Sequence, residues 1–241
     1  MYEDDDESRL DAAERLAGLD PRAAAEYLTD IARDDSAGDE IRINAAEHLA
    51  GLDPRAAADA FRAIACDDSV EDGLRVEAAE QLPALDPRAA ADAFRAIACD
   101  DSVEDGLRTA AAEQLADIDP TAAIEALRVI ACEGGMEDGL RSAAAERLAE
   151  IDPGAGAEVL AVIIGDDSMD DGLRSAAAEQ LAEIDPGAAA EALRVVLAED
   201  RAPAGPGFGW TRPRRPRPPR PPRPFRPMSP MRSSRPARPS W

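Results

Sequence analysis

The 241-residue sequence has no lysine, one histidine and only 3% aromatic residues. With so few rings, a core must be built from Ala, Leu and Ile, which the 45% hydrophobic content permits. A single histidine excludes a two-histidine metal site and any His-Glu iron motif. No apolar run reaches the roughly 18 residues of a membrane span. The opening residues MYEDDDESRL lack the basic and apolar regions of a signal peptide, so a cytoplasmic protein is expected. No nucleophile-elbow or P-loop signature is present, and neither a catalytic residue nor a cofactor is expected.

Cysteine is sparse as well. Cys66, Cys99 and Cys132 are 33 residues apart. Stacked helices lie ~8–10 Å apart, whereas bridged cysteines need Cα atoms within about 7 Å. The three read as structural cysteines near helix ends. His48 shares a column with Arg15, Gln81, Gln114, Arg147 and Gln180, which reads as a solvated position.

The charge is acidic and unevenly placed. The formal net charge is −23, yet residues 201–241 carry 11 Arg and no acid. Residues 1–200 therefore hold 16 Arg against 50 Asp and Glu, a balance of −34. Such a body repels nucleic acid and anionic membranes and attracts basic proteins.

A period of 33 residues runs through the chain. Asp-Pro pairs mark it at Asp20-Pro21, Asp53-Pro54, Asp86-Pro87, Asp119-Pro120, Asp152-Pro153 and Asp185-Pro186. Each unit reads as two helices. In the copy beginning at Ser69, Ser69 and Asp72 resemble a capping box. Leu74, Ala78, Leu82 and Leu85 then recur at helical spacing. Asp86 caps a second helix with Pro87 in its first turn, and Ala90, Phe94, Ile97 and Ala98 share one face. Large apolar residues form four columns, through Leu82, Leu85, Phe94 and Ile97, and two further columns are Ala throughout. Pro83 stands where other repeats have Ala, and should remove a hydrogen bond and kink its helix. One repeat cannot bury enough to fold alone, so the units must stack.

The segments DGLRVEAAEQLPALDP and DGLRSAAAERLAEIDP resemble short HEAT-type repeats of the kind found in phycobilisome-lyase-like proteins. The resemblance covers residues 3–200 and implies an all-α, right-handed α-solenoid of six two-helix repeats. It rests on Arg9, Arg42, Arg75, Arg108, Arg141 and Arg174, each preceded by an acid at Asp6, Asp39, Asp72, Asp105, Asp138 and Asp171. In HEAT-like stacks such Asp and Arg residues tie neighbouring repeats together. The Lys-free, Ala- and Arg-rich usage resembles that of a high-GC bacterium.

The sharpest candidate binding column is Glu26, Asp59, Asp92, Glu125, Glu158 and Glu191, acidic in all six second helices. The resemblance implies that second helices line a concave, ligand-holding face. The competing reading is a solvated face paired with Arg62, Arg95, Arg128 and Arg194. The acidic turns DDSVEDG resemble the front of a calcium loop. Val70 and Ala79 stand where it needs ligands, and helix capping accounts for the acids.

Residues 201–241 contain no Leu, Ile or Val, and 13 of them are Pro. This is a low-complexity tail that cannot bury a core, read as disordered. GC-rich codons read out of frame yield the same residues, so a frameshifted ending is a rival reading. Arg214, Arg217, Arg220, Arg223 and Arg226 recur every third residue. In polyproline II this makes a ridge stepping about 9 Å, suited to the acidic groove within one molecule or between two. The expected function is a non-enzymatic protein-binding scaffold engaging basic partners or this tail. The alternative, from fold analogy alone, is a phycobilisome-lyase-like enzyme or chromophore-handling protein.

Overall fold

A computed structural model describes residues 3–200. The tail, with the ridge from Arg214 to Arg226, lies outside the described residues. The described residues form twelve helices and no strand: α1 (Glu3–Ala17), α2 (Pro21–Ala32), α3 (Asp39–Ala50), α4 (Pro54–Ala65), α5 (Asp72–Gln81), α6 (Pro87–Ala98), α7 (Asp105–Ile118), α8 (Pro120–Cys132), α9 (Asp138–Ile151), α10 (Pro153–Ile164), α11 (Asp171–Ile184) and α12 (Pro186–Asp200). Among the described residues each helix packs on its neighbours in sequence and on the helix two places along, and on no other. That pattern is an all-α solenoid of six helix pairs.

The Asp-Pro pairs start every second helix. Asp53 Oδ1 accepts from the Arg55 and Ala56 N–H groups at 3.2 and 3.1 Å, and Pro54 occupies the first turn. Asp86, Asp119, Asp152 and Asp185 repeat this arrangement, and Asp20 accepts from Ala23. Two otherwise orphaned helix donors are thereby satisfied without displacing the chain.

The core follows the columns. Leu49, Leu82, Leu115, Leu148 and Leu181 are fully buried, as are Ile64, Ile97 and Ile130. Ala45-Ala46 and Ala144-Ala145 are also fully buried, which allows close helix approach. The column through Leu85 is only partly buried, and Leu19 at its start is exposed.

Two local readings change. Ser69 does not cap α5: its N–H and Oγ–H both donate to Asp67 Oδ1, at 3.1 and 2.6 Å, within the turn. The residue before α5 is Glu71, which makes no side-chain capping bond. Pro83 shortens its helix where a kink was expected: α5 has 10 residues, against 14 in α7, α9 and α11. The chain there turns through Leu82, whose N–H bonds the Ala79 carbonyl.

Candidate functional site

The first constellation is internal. Arg42, Arg75, Arg108 and Arg141 are only 2–4% exposed. A charge buried so deeply must be paired and hydrogen-bonded. The acid three residues earlier lies alongside: Asp39 at 3.4 Å, Asp72 and Asp105 at 3.6 Å, Asp138 at 3.8 Å. The closer partner comes from the turn 25 residues on: Asp67 at 3.2 Å, Asp100 at 3.1 Å, Glu133 at 2.7 Å and Asp166 at 2.8 Å. Nε of Arg75, Arg108 and Arg141 donates backwards to the carbonyls of Ala65, Ala98 and Ala131. These carbonyls close the preceding second helices, so each cation sits at the negative end of a helix dipole. Arg42 lacks this last bond, and its buried Nε has no partner. Arg174, in the last repeat, is less buried and bonds the Ile164 carbonyl, Asp171 and Asp167.

The acids of the column preceding Arg have a second task. Asp72 Oδ2 accepts from the Glu104 N–H, and Asp138 Oδ2 from the Asp170 N–H, each one repeat ahead.

The turn carboxylates divide their two oxygens. Oδ1 of Asp67, Asp100 and Asp166 holds the local turn through Ser69, Ser102 and Ser168, while Oδ2 takes the arginine. The hydroxyl bond from serine, largest in all three, together with the serine N–H and the arginine, favours the charged form. Asp67 and Asp100 are held below the usual carboxylate range, and Asp166 is lowered to about 2. Beneath each turn an apolar side chain is buried: Ala37, Val70, Val103, Met136, Met169. The calcium-like turns thus use their acids as arginine partners, and Val70 as a packing residue. Among the described residues no group of three or more His, Cys, Asp or Glu is placed to hold a metal ion.

The second constellation is on the surface. Glu26, Asp59, Asp92, Glu125, Glu158 and Glu191 are all exposed. Arginine offsets much of their charge. Glu26, Asp92 and Glu191 pair within their own helices with Arg22, Arg95 and Arg194. Arg128 pairs with Glu158 of the next repeat at 2.9 Å, and not with Glu125. α4 and α6 each carry two Arg against one Asp.

A fuller acidic column lies on the first helices. Glu14, Glu47, Glu80, Glu113, Glu146 and Glu179 are 33 apart and identical in all six repeats. The last five are exposed and make no ion pair among the described residues. Glu14 is taken by His48, whose Nε2 lies 2.8 Å away, so His48 is half-exposed but partnered. This column was readable at the same period. It sits directly after the Ala-Ala pair, whose packing role claimed that stretch.

The three cysteines are exposed, at or just beyond the ends of α4, α6 and α8. Partial burial of its sulfur pushes the Cys66 thiol up, the opposite of a reactive thiolate. No described helix is long and apolar enough to cross a membrane.

Comparison with family models, with curated proteins and with solved structures finds no match to this chain. The residues themselves therefore carry the functional reading.

Proposed function

We propose that the chain is a non-enzymatic scaffold of HEAT-like build that binds a basic protein along its acidic first-helix face. The observation that supports this most is the column Glu47, Glu80, Glu113, Glu146 and Glu179. It is exposed, unpaired among the described residues, and carried on the same register of successive first helices. Packed helices step ~8–10 Å, so a basic segment laid along the stack meets one carboxylate per repeat. The second-helix column offers a weaker surface, because Glu26, Asp92, Glu158 and Glu191 are each paired with an arginine.

Exposed charges attract through water, so the complex is salt-sensitive and built from many small contributions. The test is titration of the full chain with a labelled Arg-rich peptide at low and high salt. Replacing Glu80, Glu113 and Glu146 by Gln should weaken binding at low salt more than replacing the arginine-paired Asp92, Glu158 and Glu191 by their amides. Binding that ignores the first set overturns the reading.

A further inference from the structure

The two ends of the stack are not built as ends. Leu193 is 44% exposed, whereas its equivalents Leu28, Phe61, Phe94, Leu127 and Leu160 are 0–1% exposed. Leu197 is 65% exposed, against 2% for Ile164 and 0% for Ala131 at the same column. These positions are covered in each of the first five repeats and open in the last described one. The first repeat shows the converse. Tyr27 is 59% exposed where Ala60, Ala93 and Ala126 are fully buried. Ala12 is exposed where Ala45, Ala78, Ala111 and Ala144 are fully buried.

Each end carries a hollow made of these residues. At the N-terminal end a cavity of about 390 Å³ is lined by Ala12, Leu16, Tyr27 and Ile31 beside Arg9 and Asp30. At the C-terminal end one of about 370 Å³ is lined by Ala178, Leu193 and Val196 beside Asp171, Arg174 and Ser175. Repeat stacks ordinarily close both ends with polar capping units. Here each open face is one half of the interface that already joins every adjacent pair of repeats.

We infer that the stack continues from molecule to molecule, the C-terminal face of one copy seating on the N-terminal face of a second. The molecule's own repeat interface identifies the occupant. A second copy's α1–α2 pair stands where a seventh repeat would, with residue n in the register of n plus six periods of 33. In that register Arg194 of one copy meets Glu26 of the next, as Arg128 meets Glu158 within the chain at 2.9 Å. Both Arg194 and Glu26 are exposed and held only by loose pairs within their own helices, at 3.2 and 3.6 Å. Two different faces meet, so the contact is heterologous and extends as an open string. Because the bodies share a strong negative charge, salt should strengthen this association, whereas it weakens binding of a basic peptide. The two proposals therefore fail separately.

Light scattering on the full chain decides it. The wild-type mass should rise with concentration through multiples of 25.5 kDa, and more readily at higher salt. Leu193→Asp blocks one face and Tyr27→Asp the other, so each variant alone should stay at 25.5 kDa. Mixed in equal amounts they should double that mass and go no further, since each supplies the face the other lacks. Both residues are exposed, so helicity by circular dichroism should match the wild type. A wild-type chain that stays single at every concentration overturns the inference, as does a single variant that still pairs with itself. The tail holds both tryptophans, Trp210 and Trp241. Tryptophan emission that reddens in Leu193→Asp, with the wild type still single, overturns it in favour of the tail covering the end.

Discussion

Arg141 Nη2 donates to Asp166 Oδ2 at 2.8 Å, from the middle of one repeat to the turn that opens the next. Its Nε donates back to the Ala131 carbonyl at 3.2 Å, in the repeat before. One buried guanidinium therefore bonds across both boundaries of its own repeat.

Removing that group should cost more than removing its terminal equivalent. Arg141→Ala leaves Asp166 and the Ala131 carbonyl without their partner, and a loss of ~3–5 kcal/mol is expected. Arg174 is more exposed and, among the described residues, bonds no carboxylate beyond its own repeat boundary. Arg174→Ala should cost under about 2 kcal/mol. Urea melts of the two variants against wild type check the order.

The same turns predict an acid limb of stability. An unfolded Asp titrates near ~3.9, and the folded values of Asp67, Asp100 and Asp166 lie lower. Their stabilisation is therefore present above the unfolded value and lost as pH falls through the folded ones, about 2 for Asp166. Thermal midpoints should fall between roughly pH 4 and 2. Asp166→Asn should lower the midpoint at neutral pH and flatten that fall.

Gly156 is a packing residue although five other repeats have Ala at its column. A Cβ there would lie 2.4 Å from the Ala149 Cα, which is backbone and cannot swing aside. Gly156→Ala should destabilise by ~1–3 kcal/mol. At Gly73 nothing lies within 4 Å, and Gly73→Ala should be neutral or slightly stabilising by the helix propensity of Ala. Denaturation curves of the two variants give the contrast.

Pro83→Ala should lengthen α5 toward the 14 residues of α7. The new N–H restores a helical donor, and a gain of about 1 kcal/mol is expected, reduced by the greater freedom of the unfolded chain. Circular dichroism should show added helix, and the melt a higher midpoint.

The second-helix starts and core columns were legible because both are recorded along the chain. Asp-Pro specifies a capped helix start through contacts two or three residues away. Leu, Ile and Ala columns follow from helical spacing within a repeat. The acid beside each Arg was legible for the same reason, since it lies three residues off on one helix. The unpaired first-helix glutamates were equally visible at the period.

The sequence by itself thus determined the period, the second-helix caps and which faces are apolar, all consequences of local backbone geometry. Which of several nearby acids reaches Arg75 was decided only when one repeat settled on the next. Asp100 is 25 residues away in the chain and 3.1 Å away in space. The same settling buried Val70, whereas Ser69 braces its own turn through Asp67, two residues away. It also left Leu193 and Tyr27 open, because their equivalents are buried by an adjacent repeat that the described residues do not hold at either end.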